Sequence, residues 1–334
     1  MGFPTMNTKT TFSQAVSASV RALWDLGVSE ISNSLYGTEL FNIYDPTATN
    51  EQLTNTSGPA YGVLTPEGGE YATNDLYKGY PYTLQLRKFT SKMVISEEAQ
   101  HFLAKQHEQG VKSYFTLNNP VEHALNALIG NHNFELAKMF YLGFGTTNIT
   151  PGDAVALFSN SHPIRRTGGT SGNMFASGDT QRALTVDAVK VALDRMNRAL
   201  SQNGVQFRKV KRFRIVTPVE LEADAHRVLL SMYGPSGNMN LSLAGPDVMD
   251  ARGIPDRGVV VLPDIPSSYS TYWFIVDLDR AANQFWKAQA WGPRMVSENE
   301  PSNGSFETDC STLFQFVVPY WAFCFGSTGT GAAI

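Results

Sequence analysis

Hydrophobic positions along this 334-residue chain recur with a period that changes from segment to segment. Near the start, Phe12, Val16, Val20, Leu23 and Trp24 return at helical spacing within a polar, turn-rich stretch, and Gly27 closes the run. One short helix in an extended arm is predicted for the first fifty residues. Over Ala60 to Thr65 and Tyr82 to Ile95 the pattern becomes strand-like, with Tyr82, Leu84 and Leu86 alternating against Thr83, Gln85 and Arg87. Between these runs lies a connector rich in Gly68, Gly69, Asn74, Asp75 and Gly79. A long hairpin is expected, and connectors of this length usually have a task, often binding.

Helical periods follow. Ser96 with Glu97 and Glu98 starts a helix that Gly110 stops. Asn119 and Pro120 start a longer one to Gly143, roughly 35 Å in length, with Val121, Leu125, Leu128, His132, Leu136, Met139 and Phe140 along one stripe. Gly143 to Ser177 reads as loop, apart from an apolar island at Ala154 to Phe158. Thr185 caps a third helix, with Val189, Leu193, Met196 and Leu200 on one face and Gly204 as its end. A strand at Phe213 to Thr217 leads into a fourth helix, for which Thr217, Pro218 and Glu220 form a capping box before Leu221, Ala225, Val228, Leu229 and Met232. Short apolar runs at Gly258 to Leu262 and Tyr272 to Leu278 read as buried strands. Leu313 to Phe325 reads as buried strands interrupted at Pro319. Helices and strands mix without βαβ alternation, so the fold class is α+β.

Composition narrows the function. At 42% hydrophobic and 17% charged, the chain can bury a substantial core in one or two connected domains. Its formal charge of -4 disfavours tight nucleic-acid binding. The densest basic patch, Arg208, Lys209, Lys211, Arg212 and Arg214, reads as a solvated strand edge or a subunit contact, with DNA phosphates as the alternative. Cys310 and Cys324 are too few for a disulfide scaffold, nothing at Met1 resembles a signal peptide, and no run is long enough for a membrane helix.

Chemical motifs are scarce. Gly326 to Gly331 lacks the Lys and Ser/Thr of a P-loop, and Gly143 with Gly145 closes a helix instead of opening one. The histidines at 101, 107, 123, 132, 162 and 226 offer no i, i+4 pair for a metal, and none is expected. His132, on the apolar stripe, reads as a core residue. Cys310 or Ser159 with His162 and Asp277 would be a nucleophilic set, but no Gly-x-Ser-x-Gly elbow supports it. Asp277 and Asp279, beside Arg280, read as a strand end with a local ion pair. No catalytic residue and no cofactor is expected.

The order of segments is the strongest signal: polar arm, long β-loop, long helix, mixed core, strand-rich middle, apolar return. That order resembles the Hong Kong 97 bacteriophage capsid fold over nearly the whole chain. Pro66, Glu67, Gly68, Gly69 and Glu70, then Gly79, Tyr80 and Phe89 to Ile95, are similar to the Pro-Glu-Gly-Gly loop of Mu-like phage head subunits. Leu157, Phe158, Ser159, Asn160, Ser161, His162 and Pro163 are similar to their Leu-Phe and His-Pro element, although Gly152-Asp153 stands where Asp-Gly is usual.

The resemblance implies an N-terminal arm over residues 1–50, an E-loop hairpin over 51–95, a P domain over 96–217 with a spine helix at 120–143, an A domain over 218–303, and return strands over 304–334. It implies a major capsid protein that assembles with itself into pentamers and hexamers around double-stranded DNA, without sequence-specific binding. Scaffolding, portal and decoration proteins are the implied further partners. The chain begins at Met1, so any scaffold is expected to be a separate protein. The location implied is the virion capsid, assembled in the host cytoplasm, with no membrane contact. Subunit contacts are expected from Pro66, Glu67, Gly68, Gly69, Tyr77, Lys78 and Tyr80 in the E-loop and from Phe12, Val16, Leu23 and Trp24 in the arm. His162 and Pro163 are expected to fix a turn. An encapsulin-like compartment shares the fold, and a hydrolase using His162 with Ser159 is the distant alternative.

Overall fold

A computed structural model of the chain describes residues 21, 24–25, 28, 35–56, 78–96, 98, 114–146, 150–165, 168–175, 181–230, 257–299 and 306–331. Among these, the elements begin with β1 (Asn42–Tyr44), β2 (Asn50–Thr56), β3 (Lys78–Gln85), β4 (Arg87–Ile95) and helix α1 (Tyr114–Tyr141). There follow β5 (His162–Pro163), β6 (Thr170–Ser171), α2 (Val186–Arg198), β7 (Phe213–Thr217), α3 (Glu222–Leu230) and β8 (Arg257–Val261). The chain closes with β9 (Trp273–Asp277), α4 (Leu278–Gln284), β10 (Trp286–Asn299), β11 (Phe306–Val317) and β12 (Cys324–Ser327). It divides into two compact units, the first of residues 1–35, 86–133 and 289–314, the second of residues 36–85, 134–288 and 315–334.

In the first unit β11 pairs antiparallel with β4, from Phe306 opposite Ile95 to Phe314 opposite Arg87. Thr312 of β11 donates to the Trp291 carbonyl of β10 at 3.1 Å. Leu125, Leu128 and Ile129 of α1 pack with Met93, Cys310 and Trp24 in one apolar cluster. His132 is buried there beside the Phe314 ring, as a core residue. Arg21, Trp24, Asp25 and Val28 are helical, which places the C-terminal part of the predicted arm helix. Phe12, Val16, Val20 and Leu23 lie outside the described residues.

The second unit is built on a sheet in the order β12-β9-β7-β8, with β7 parallel to β8 and antiparallel to β9. Alternation along β9 serves two cores. Trp273 and Ile275 join Val189, Ala192 and Met196 of α2 and Ala225 and Val228 of α3. Phe274 turns the other way, within 5.2 Å of the Phe140 ring and 5.1 Å of the Phe158 ring, centroid to centroid.

Several expectations need correction. The spine helix runs from Tyr114 to Tyr141, not from 120 to 143, so Pro120 lies inside it. The helix therefore forgoes the N–H that residue 120 would give to the Thr116 carbonyl. Gly143 instead packs flat beneath Phe158, where an added Cβ would lie 2.8 Å from the ring. α2 is capped by Thr185 as predicted, its side chain accepting from the Ala188 N–H at 3.2 Å, but it ends at Arg198. Leu200 then bridges to Gln206, and Gly204 serves that turn with φ +74°. The capping box at Thr217 does not form: its side chain is buried at the end of β7, and a 3-10 turn at Val219–Leu221 precedes α3. β3 pairs with β2; the run Ala60 to Thr65 lies outside the described residues. Nor is Arg214 solvated: it is 2% exposed and held by Glu39.

Candidate functional site

The turn at 151–163 is pinned from three sides. Ala154 donates to the Pro151 carbonyl at 2.9 Å and takes φ 60°, and the Asp153 side chain beside it is buried. Gly152 fits because a Cβ there would come within 3.2 Å of Tyr80 and 3.3 Å of the Pro319 carbonyl. Asp153 meets His162 Nδ1 at 2.7 Å, and the His162 ring stacks on Trp321 at 4.3 Å and 9°. Asn173 completes the clamp, donating to the Leu157 carbonyl at 2.7 Å and accepting from the Ser159 N–H at 2.9 Å. β5 then pairs with β6, His162 opposite Ser171 and Pro163 opposite Thr170. Gly152-Asp153, which departs from the Asp-Gly order of the motif, is thus what supplies the histidine's partner.

The candidate nucleophilic residues are engaged in structural contacts. His162 is fully buried, and its Nε2 has no hydrogen-bond partner among the described residues. Ser159 bonds Ser161 at 2.9 Å instead. Asp277 is committed elsewhere: it caps α4 through the Asp279 N–H and pairs with Arg280 at 2.9 Å. Burial raises the Asp277 carboxyl to about 6, outweighing the pull of Arg280, and burial lowers Arg280 in turn. Cys310 is buried in the first-unit core, and desolvation raises its thiol to about 11, away from the reactive thiolate. Among the described residues no three metal-binding side chains come together.

What the second unit does offer is surface. A cleft of about 820 Å³ is lined by Glu39, the basic loop 207–212 and α4. Beside it in sequence, the β2–β3 hairpin pairs Gln52 with Thr83 and Leu53 with Tyr82. Tyr82 and Leu84 are buried, whereas Gln52, Pro81, Thr83 and Gln85 are exposed.

No family model and no curated protein matches the chain. Solved structures do. The capsid subunit of cyanophage A-1(L) matches with a TM-score of 0.53, over 90% of this chain and 95% of that one, at 14% identity. The fold is the Hong Kong 97 type of phage capsids. The capsid of Myoviridae phage XM1 matches over 87% and 90% of the two chains at TM-score 0.47 and 12% identity. A virus-like particle from Pyrococcus furiosus matches over 92% and 97% at TM-score 0.45 and 10% identity.

In this Hong Kong 97-type chain the sites expected from sequence are spread out. His162 and Pro163 form β5, inside the clamp described above. Tyr80 lies on β3 with the Arg165 guanidinium 4.1 Å from its ring. Lys78 opens β3. Trp24 is buried in the core of its own subunit. Pro66, Glu67, Gly68, Gly69 and Tyr77, like Phe12, Val16 and Leu23, fall outside the described residues. Sequence reasoning named the Asp277–Arg280 ion pair, which forms at 2.9 Å, but missed Asn173 and the Glu39–Arg214 pair. Asn173 holds Leu157 and Ser159 across 16 and 14 residues and Glu39 meets Arg214 across 175, beyond the reach of a local motif.

Proposed function

We propose that this chain is the shell-building head subunit of a tailed bacteriophage, joining pentamers and hexamers around double-stranded DNA. The observation that carries the reading is the likeness to the cyanophage capsid subunit, which extends over almost all of both chains. The motifs at Pro66 to Glu70 and Leu157 to Pro163 support a place beside the Mu-like heads. In this reading residues 1–50 are the arm, 51–95 the E-loop, 96–217 the P domain, 218–303 the A domain and 304–334 the return strands. Pro66, Glu67, Gly68, Gly69, Tyr77, Lys78 and Tyr80, with Phe12, Val16 and Leu23 of the arm, lie against neighbouring subunits. Trp24 anchors that arm to its own subunit. The work is binding, and small contacts summed over many copies hold the shell.

The reading also assigns the protein to the virion, assembled in the host cytoplasm with scaffolding, portal and decoration proteins as further partners. Negative-stain microscopy of the purified protein, alone and with its scaffold, tests it. Closed shells or hexameric tiles are expected. A chain that sediments as a monomer in every assembly condition would overturn the proposal.

A further inference from the structure

The cleft of about 820 Å³ in the second unit carries an unbalanced charge. Three acids line it, and each has its own cation. Glu39 is held by Arg214 through two hydrogen bonds of 2.9 Å. Asp277 pairs with Arg280 at 2.9 Å, and Asp279 lies 3.7 Å from Arg212. Arg208, Lys209 and Lys211 remain, exposed and with no acidic partner among the described residues. A surplus of three cations thus stands in a chain whose net charge is -4.

The loop that carries them is held still. Arg280 donates to the Arg208 carbonyl at 2.6 Å and lies 4.9 Å from the Phe207 ring. Asn197 accepts from the Val210 N–H at 2.8 Å, and the Leu278 N–H donates to the Arg212 carbonyl at 3.0 Å. A fixed array of charges loses little ordering entropy when a ligand arrives.

We propose that this cleft receives an acidic segment from a second copy of the chain, the connector at residues 57–77. The inference rests on the shell reading and names the surface that takes the loop. That connector carries Glu67, Glu70 and Asp75 and no Lys or Arg, so its three anions answer the three spare cations. Nucleic acid fits less well. Duplex DNA carries a phosphate every ~1.7 Å of its axis, a continuous run of charge that three spare cations do not match. Three carboxylates spaced along a peptide match Arg208, Lys209 and Lys211 one for one.

The test is a charge exchange in the full-length protein under conditions where the wild type forms shells. Lys209→Glu with Lys211→Glu, and separately Glu67→Lys with Glu70→Lys, are each expected to cut shell yield by at least about tenfold in sedimentation. All four substitutions together should recover it. Thermal melting within a few degrees of wild type, on the order of a surface change, would show that the variants fold. Wild-type shells beside either pair assembling normally, or a fourfold variant no better than the pairs, overturns this inference alone. So does a lysine pair that builds full shells but fails to retain DNA, which would assign the cleft to phosphate. A wild-type chain that stays monomeric overturns the shell reading and this inference with it.

Discussion

Every residue of β7, β9 and β12 is buried, whereas the β2–β3 hairpin of the same unit hides one face and leaves Gln52, Pro81, Thr83 and Gln85 in solvent. The sheet satisfies itself. Its two faces take α2 and α3 on one side and a group of phenylalanines on the other, and Arg214, the one cation within β7, is neutralised by Glu39. The hairpin has one apolar face, and the other has no cover among the described residues. Its base is tied down by Gln315, which accepts from the Gln85 N–H at 3.2 Å, and by Tyr44, which donates to Glu51 at 2.8 Å. The contrast locates stability in the sheet and leaves the hairpin free to spend its second face on a neighbour.

The largest expected effect falls on the sheet. Phe274 is fully buried against Phe140, Phe158 and Phe144, so Phe274→Ala should lower the unfolding free energy by about 3–5 kcal/mol. Denaturant titration checks it, and a loss below about 1 kcal/mol would mean that the aromatic group collapses around the gap.

Next comes a pH effect at the end of the same sheet. The Asp277 carboxyl is raised by burial to about 6 in the folded chain, above its unfolded value. Protonation therefore favours the folded state: the gain is complete below the unfolded value and is lost as pH rises through about 6. Relative to Asp277→Asn, which can still cap α4, the wild type should gain roughly 2 kcal/mol between pH 8 and pH 4. Thermal melts of both proteins across that range measure it; parallel curves would show that attraction to Arg280 cancels the desolvation. The pair then serves to hold Arg280, whose guanidinium also gathers the Met196, Ala322 and Arg208 carbonyls.

How much of this was legible depends on the reach of each interaction. Buried strands announced themselves: Phe213 to Thr217 and the Tyr82 to Ile95 alternation follow their side-chain patterns, and the break at Pro319 falls between β11 and β12. β2 did not, because Asn50 to Thr56 holds a single apolar residue, Leu53, and is a strand only through pairing with β3. β10 also escaped, since the short alternation of Trp286, Ala288 and Ala290 with Lys287 and Gln289 is broken at once by Trp291, Gly292, Pro293 and Arg294. The His-Pro element was visible as a turn, but its support was not. Asp153 is nine residues away and Trp321 lies near the far end of the chain.

A smaller effect tests a local feature that sequence did show. Thr185→Ala removes the acceptor for the Ala188 N–H and should cost about 1 kcal/mol in the same titration. A change near zero would mean that packing of α2 on the sheet, not its cap, sets where the helix begins.

The smallest expected effect on stability is the one that bears hardest on the contrast. Thr83 lies exposed on the hairpin, opposite Gln52, with no buried contact among the described residues for an arginine to displace. Thr83→Arg should therefore leave the unfolding free energy within about 0.5 kcal/mol of wild type. If the open face is an assembly surface, the same substitution places a bulky charge where a neighbour must pack, and shell yield should fall while the monomer melts normally. The two readouts separate what the sheet variants confound, since Phe274→Ala lowers shell yield simply by unfolding the subunit. Normal shells from Thr83→Arg would assign the subunit contacts to other surfaces and leave the exposed hairpin face without a partner. Lost stability in the monomer would show instead that the hairpin packs within its own subunit more fully than its exposed residues indicate.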